Sequence, residues 1–577
     1  MAIIGIDLGT TNSLAAVWKE NKCLLIPNSF GEYLTPSVVG VDDDGTILVG
    51  KIAKERLITH PAQTAASFKR FMGTEKTFSL GGRSFTPEEL SSFVLQQLKR
   101  DAEAFLGERV EEAVISVPAY FNDNGRLATK LAGKLAGLRV DRLINEPSAA
   151  ALACRMAGEE AKMFLVFDFG GGTLDVSIVD AFENVVEILA VSGDNHLGGD
   201  DFDLAIAESF CRENGFQFKD LDLNSRAIVL KQAEQCKMSL TTENAAAMML
   251  EKDGRTYSMA LTNQRLISMC PVLLKRMEAP LRRVLRDSEL TLREIDEIVM
   301  VGGSSRMPVV QKYLEHVLGK APLCSSAPEA VIARGCGVVA GIKARAGEVR
   351  DMLLTDICPF SLGVSTMNPE NPDEPLFSPI IERNTSLPAS RMSSYQTVRD
   401  NQTGLRLTIY QGESRYCRDN LKLGEIHVTV PPKPRGEASV DVRFTYDING
   451  ILEVEVTNNS TGAVTNKLIL NRKLQYSDDE IAQQLEKLAR YKIHPRELDE
   501  NRLILARGER LYTETLRQTR ETVGERLSWF QRILSTQQEH KIRRAREYMT
   551  AFLDRIEASG EAFESFSPDF DAYDEEE

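Results

Sequence analysis

Several things are scarce in this chain. It has two tryptophans, six histidines and nine cysteines in 577 residues. The histidines form no metal-spaced cluster and the cysteines no C-x-x-C pair, so the sequence offers no zinc or iron–sulfur centre. The cysteines read as reduced cytosolic thiols, each a small core residue rather than a ligand. Basic charge is short as well: 69 Lys and Arg against 84 Asp and Glu give a formal net charge of −15. That excludes a duty on nucleic-acid backbones and disfavours anionic membranes. No apolar run approaches the ~20 residues needed to span a bilayer. No basic segment with a small-residue cleavage site precedes the first strand, so no signal peptide is expected. The expectation is a cytoplasmic monomer with neither nucleic-acid nor membrane partners.

Length alone asks for about three or four domains, and the texture of the chain changes along its course. Residues 1–345 alternate strand and helix signals, and Thr86-Pro87-Glu88-Glu89 is a capping box with Pro at the first helical position. This predicts an α/β domain with ligands at the carboxyl ends of its strands. Residues 346–358 form a linker in which Met352, Leu353 and Leu354 lie between acids. A buried edge strand and a switch segment that docks in one state are both open readings. Residues 359–474 lose the helical period: Leu405, Leu407 and Ile409 face one way, Arg406, Thr408 and Tyr410 the other, and Asn449-Gly450 marks a hairpin. An antiparallel β-sandwich is predicted there. Residues 475–560 open on the capping box Ser477-Asp478-Asp479-Glu480, with Ile481, Leu485 and Leu488 at helical spacing, which predicts a helical bundle. The acidic end, 561–577, is expected to be disordered.

Two segments of the first domain repeat one pattern. Ile6-Asp7-Leu8-Gly9-Thr10-Thr11-Asn12 and Phe167-Asp168-Phe169-Gly170-Gly171-Gly172-Thr173 each read as an apolar strand, an Asp, and a turn of glycines and threonines. Glycine lets the backbone approach a phosphate and aim N–H groups at its oxygens. Threonine adds hydroxyl donors, and Asp7 and Asp168 can hold Mg²⁺ through water. A third turn, Gly302-Gly303-Ser304-Ser305-Arg306, follows another strand; its backbone suits an α-phosphate or ribose, and Arg306 can stack on a purine. One Gly-Gly turn is weak evidence; three in this order point to a nucleotide.

At this point the chain resembles the seventy-kilodalton heat-shock chaperones, the DnaK-type ATPases. The stretches that carry the likeness include Gly5-Ile6-Asp7-Leu8-Gly9-Thr10-Thr11-Asn12-Ser13, Val117-Pro118-Ala119-Tyr120-Phe121-Asn122-Asp123, Asn145-Glu146-Pro147-Ser148-Ala149 and His196-Leu197-Gly198-Gly199-Asp200-Asp201. The resemblance implies a multidomain fold: a two-lobed actin-like α/β ATPase domain, an antiparallel β-sandwich that binds peptide, and a C-terminal α-helical lid. It implies a slow, Mg-dependent ATPase with ATP/ADP and Mg²⁺ as cofactors, leaving room for K⁺. Lys69 matches the catalytic lysine, Glu146 and Asp175 match polar residues near the attacking water, and Thr173 matches the hydroxyl near the γ-phosphate. Gly198, Gly199, Glu234, Lys237 and Thr241 match the remainder of the nucleotide site. Met238 and Pro328 depart from the family pattern on the adenosine side.

By the same resemblance Phe360, Leu362, Val364, Thr366, Met367, Tyr395, Val398, Leu405 and Leu407 line a channel for extended, unfolded peptide. Leu362 and Leu407 equally suit a plain sandwich core. Arg142, Asn145 and Asp356, with Met352, Leu353 and Leu354, match the residues that couple the domains and meet a J-domain co-chaperone. Dependence on an exchange factor stays open. The short stretch between Phe71 and Pro87 and the brief loop at Asp253-Gly254 are similar to an HscC-like branch. A metabolic kinase, an actin-like filament protein or a nucleotide-holding scaffold would share the first domain, but would have no use for residues 359–557.

Overall fold

The computed structural model describes residues 2–156, 162–182, 185–252, 255–349, 352–448, 450–469, 499–515, 517–536 and 539–559. The capping box at Ser477, the end 561–577, the loop at Asp253-Gly254 and the hairpin residue Asn449 lie outside the described residues.

The sequence repeat becomes a structural repeat. In the first lobe β1 (Ala2–Asp7) and β2 (Asn12–Lys19) form a hairpin with Ile4 opposite Val17 and Asp7 opposite Leu14. In the second lobe β3 (Lys162–Phe169) and β4 (Leu174–Phe182) do the same, with Asp168 opposite Asp175. Each first strand also has a parallel neighbour, Val110–Val117 for β1 and Glu297–Val301 for β3. These strands are near-continuous apolar runs because helices cover both faces of their sheets. Ile4, Ile6, Leu165 and Phe167 are all fully buried. The two hairpins therefore aim their turns at one cleft from opposite sides.

Four helices matter for that cleft: α1 (Glu146–Met156), α2 (Gly199–Glu213), α3 (Leu223–Ser239) and α4 (Val331–Lys343). α1 and α4 bury Ala149, Ala150, Leu152, Cys336, Val338 and Val339 in a core shared by the two lobes. A full Leu or Val burial is worth roughly 1.5–3 kcal/mol, so this seam fixes one lobe against the other.

Residues 362–469 form two packed four-stranded sheets. The period-two alternation works as expected: Leu407 and Ile409 join Val364, Val442, Phe444 and Val454 in the interior. The linker belongs to both domains. β5 (Val185–Asp194) takes β6 (Leu353–Ile357) as a parallel neighbour, with Val185 opposite Leu353 and Glu187 opposite Thr355. On its other edge β6 pairs antiparallel with β7 (Ser386–Leu387) of the sandwich. The ATPase sheet thus runs to seven strands and ends in the β-domain.

The domains also meet through side chains. The Tyr446 hydroxyl donates to Asp123 at 2.8 Å and the Gln411 amide to the same carboxyl at 3.2 Å. Arg383 pairs with Asp287 at 2.8 Å, and the backbone N–H of Val191 donates to Asn384 at 3.2 Å. Three helices follow, Asp499–Glu514, Arg517–Thr536 and α5 (Glu539–Ser559), around a core that includes Val523, Phe530, Ile542, Met549 and Leu553. Among the described residues, no helix is long and apolar enough to cross a membrane.

Candidate nucleotide site

The two hairpin turns and the third glycine turn surround a cleft of about 390 Å³. Asp7, Gly9, Thr10, Thr11 and Asn12 line it from one side, and Asp168, Gly170, Gly171 and Thr173 from the other. Lys69 and Glu146 form part of its floor, and Glu234, Lys237, Thr241, Gly302, Gly303, Ser304 and Arg306 its far wall. Gly172, Gly198, Gly199 and Asp175 stand behind the lining instead. They shape the site from beneath.

Local bonding holds the turns rigid. In the first, the Gly9 N–H donates to Ser13 Oγ at 3.2 Å, and Ser37 Oγ donates to the Gly9 carbonyl at 2.8 Å. The second is stapled to α2: the N–H groups of Gly199 and Asp200 donate to the carbonyls of Gly170 and Gly171 at 3.0 and 2.8 Å. A Cβ on Gly198 would stand 2.4 Å from the Gly171 backbone, so only glycine permits that staple. Gly302 has φ of +85°, the left-handed region that glycine enters without strain. Its N–H donates to the carbonyl of Pro328 at 3.1 Å, so the departure at Pro328 keeps a backbone role in this turn.

The floor is acidic. Asp7, Glu146, Asp168 and Asp175 are all buried, and Lys69 is buried among them, 2.7 Å from Glu146. Burial, reinforced by Glu146, pushes Asp7 up to about 7 and Asp175 up to about 8. Asp168 is raised well above the usual carboxylate range for the same reasons. Burial alone would lower the Lys69 ammonium, but Glu146, Asp7 and Asp168 outweigh it and raise it. Ser116 donates to Asp7 at 2.8 Å. Several carboxylates against one ammonium leave a surplus of negative charge that asks for a further cation. Among the described residues no His, Cys, Asp and Glu group converges closely enough to hold a metal directly. Thr11 Oγ1 is buried with no protein partner among the described residues, as a phosphate-facing hydroxyl would be.

Glu234, Lys237 and Thr241 sit at one-turn spacing on α3 and just beyond its end. Lys237 bonds Asp203 at 2.6 Å and the Gly199 carbonyl at 3.0 Å. Burial, partly offset by Lys237, raises Asp203 to about 7. Met238, 60% exposed, also lines the cleft and gives this wall an apolar surface. Arg306 is held by Glu329 at 3.0 Å and by the Ser326 carbonyl at 2.7 Å. Across the cleft, Arg70 pairs with Asp201 at 2.6 Å and donates to the Gly172 carbonyl at 3.1 Å, while Ser67 donates to Asp200 at 2.7 Å. Sequence reasoning gave no role to Ser13, Ser37, Arg70, Asp200, Asp203 or Glu329. The only signal for Ser13 and Asp200 was their place in quoted motif stretches.

The chain matches the family model described as Hsp70 protein over residues 3–79 and 75–567. The chain belongs to the Hsp70 family. Membership in Hsp70 carries ATP-dependent chaperone and ATPase activity, with ATP and Mg²⁺ as the typical cofactors.

In this Hsp70 the residues expected to line a peptide channel fall in different places. Leu362, Val364 and Leu407 are buried in the sandwich core, so the packing favours the interior reading of Leu362 and Leu407, and Val364 packs with them. Their side chains alternate inward with the other apolar positions of their strands. Leu405 and Tyr395 pack half-buried against that core, and the Tyr395 hydroxyl lies 3.1 Å from Ser378 Oγ. Phe360 instead meets Tyr120 of the ATPase domain, ring centroids 4.5 Å apart. Thr366 donates to the Leu376 carbonyl at 3.2 Å, and Met367 and Val398 are half-buried. Of the coupling residues, Asn145 donates to Asp356 at 2.7 Å, and Arg126 donates to Asn145. Burial holds the Arg142 guanidinium below its usual value, and the charge of Asp356 works against that shift. The three linker residues differ: Met352 is buried, Leu354 is half-buried and Leu353 is 64% exposed.

Proposed function

We propose that this chain binds and releases extended apolar segments of unfolded proteins, and that slow ATP hydrolysis in the cleft drives the cycle. The observation that carries the reading is the acidic floor beneath two facing glycine–threonine turns. It is a cradle for a phosphate chain that arrives with its own cation. Mg²⁺ would supply charge neutralisation of the phosphates, held through water by Asp7 and Asp168. Thr10, Thr11, Asn12, Gly170 and Gly171 would carry the phosphate oxygens. Lys69, fixed by Glu146, would face the charge that develops on the transferring group. Glu146 and Asp175 would orient the attacking water and take up its proton. Thr173 would bond the γ-phosphate. Glu234, Lys237, Thr241 and Arg306 would seat the adenosine.

The linker strand is the transmission. Because β6 is hydrogen-bonded on both edges, to β5 and to β7, any change in the ATPase sheet moves the β-domain with it. Asn145, Arg142 and Asp356 stand at that junction, where a J-domain co-chaperone would act. The half-buried side chains of Thr366, Met367, Val398 and Leu405 are the better candidates for peptide contact. The short inserts support a specialised, HscC-like member.

The test has two parts. Calorimetry should find micromolar or tighter ATP affinity that needs Mg²⁺. Labelled apolar peptide should leave faster when Mg-ATP is added. Absence of Mg-dependent affinity, or a peptide off-rate that ignores ATP, rejects the proposal.

A further inference from the structure

Lys69 and Thr173 are assigned to one phosphate, yet they reach the cleft from different lobes. Lys69 sits in a short helical turn, Phe68–Phe71, rooted in the first lobe, where Phe68 and Met72 pack with Ile4 and Ile6. Thr173 closes the turn between β3 and β4 of the second lobe. A misplacement of about 1 Å between reacting groups can cost about 10²-fold in rate. The Lys69 ammonium is held by Glu146, which follows directly on Leu143–Asn145, a strand of the first lobe's sheet. That bond sets no distance from Lys69 to Thr173.

The neighbours of these two residues do set it. Arg70 and Gly172 stand next to Lys69 and Thr173 in the chain, and neither lines the cleft. Arg70 Nε donates to the Gly172 carbonyl at 3.1 Å, and Arg70 Nη2 donates to Asp201 Oδ2 at 2.6 Å. The same Asp201 oxygen accepts the N–H of Gly198 at 2.8 Å, at the start of α2. One guanidinium therefore grips the second turn and the head of α2 together. That helix is rooted in the second lobe, where Phe202 and Ile206 pack with Leu165 and Phe167. A second bond lies alongside: Ser67 Oγ donates to Asp200 Oδ2 at 2.7 Å. Ser67 has φ of +53°, a left-handed conformation that a residue with a side chain seldom adopts. Strain of this kind persists where surrounding contacts over-determine it, and here it aims the hydroxyl at the other lobe.

Other pairs bridge the lobes as well. Lys54 meets Glu234 at 3.3 Å and Lys231 meets Glu55 at 3.4 Å. Their side chains are more exposed, and such pairs contribute little. The Arg70 side chain is only 16% exposed, and a planar fork with two fixed bonds resists sliding as a single ammonium would not.

We propose that Arg70, held by Asp201, is a positioning residue for ATP hydrolysis: it locks the Lys69 turn of the first lobe to the Thr173 turn of the second, with Ser67 and Asp200 as a second point of attachment. Arg70 lies behind the cleft lining, so it acts through Lys69 and not on the phosphate. The inference rests on the role given to Lys69 above.

The test is single-turnover hydrolysis by the full chain with saturating Mg-ATP, with calorimetric ATP affinity measured on each variant. Arg70→Ala should slow turnover about 10²-fold and keep ATP affinity within about threefold. Asp201→Asn, which keeps an acceptor for Gly198, should lose about tenfold. Glu55→Ala, at the exposed rim, should match the parent. Combined with Lys69→Met, Arg70→Ala should add less than about threefold, because nothing is left to position. A second readout needs no turnover. Asp201→Asn alters only the second lobe, and the Met72 amide donates to the Lys69 carbonyl at 3.1 Å in the first. With Mg-ADP bound, hydrogen exchange at that amide should quicken about tenfold in Asp201→Asn. Parental turnover in Arg70→Ala overturns the clamp, and so does full additivity with Lys69→Met or an unchanged Met72 amide. An equal loss in Glu55→Ala, or a loss that comes wholly from weaker ATP affinity, overturns it too. Parental turnover in Lys69→Met alone rejects the Lys69 reading itself, and the clamp falls with it.

Discussion

Lys69→Met is the sharpest perturbation the site offers. It removes the buried ammonium 2.7 Å from Glu146 and leaves Asp7, Glu146, Asp168 and Asp175 facing one another. Breaking a buried pair by deleting one partner typically costs about 3–5 kcal/mol. Here protonation relieves part of that cost, because Asp7 and Asp175, at about 7 and 8, take up protons near neutrality. The sign follows. A carboxyl whose folded value is raised contributes stability that is complete below its unfolded value and lost as pH rises through the folded one. Losing Lys69 raises these groups further, so the melting-temperature gap between variant and parent should widen from about pH 5 to about pH 8.5. Mg-ATP should narrow it by supplying cation charge. For turnover, removal of one preorganised positive group at a charge-developing centre costs roughly 10²–10³-fold, or about 2.7–4 kcal/mol. Single-turnover hydrolysis with saturating Mg-ATP reads this directly. Turnover within about threefold of the parent would refute the role of Lys69, and a pH-independent melting gap would refute the electrostatic account of the floor.

Two more perturbations separate parts of the molecule. Asp203 is raised to about 7 by burial against the pull of Lys237, so its contribution to apo stability is present below about pH 4 and lost by about pH 7, an effect of order 2–4 kcal/mol. Asp203→Asn should therefore gain on the parent as pH climbs from about 4 to 8 in thermal melts; parallel melting curves would be the contrary result. In the linker, Met352 is buried and Leu353 is 64% exposed. Met352→Asp should abolish peptide stimulation of hydrolysis with basal turnover kept within about twofold, since it forces a charge into the seam; Leu353→Asp should leave most of the stimulation. Equal losses from the two changes would show that strand pairing is not what transmits the signal.

The repeat Asp-x-Gly-Thr-Thr and Asp-x-Gly-Gly-Gly-Thr, the change from helical to alternating periodicity, and the acidic net charge are local or compositional properties. They were legible because backbone chemistry in a glycine turn and the period of a strand depend on a few neighbouring residues. So were many of the residues that line the cleft, such as Asp7, Thr10, Asp168 and Gly170, named from short motifs. What lay beyond reach depends on partners distant in the chain. Asp203 takes its role from Lys237 through the packing of two helices within the second lobe, and Arg70 from Asp201 across the cleft. Strand alternation could say that Leu362 and Leu407 face the same way as their apolar neighbours, but not whether that side is a groove or an interior. The second sheet decides it. The linker is the clearest case. Three apolar residues in a row left a buried edge strand and a docking segment both open, while tertiary packing buries Met352, exposes Leu353, and sets Glu187 opposite Thr355 with Arg543 beside it. Sequence determined the pieces that bind a phosphate chain. Tertiary packing decided which charges share a low-dielectric space, and that sharing is what perturbs their protonation and links one domain to the next.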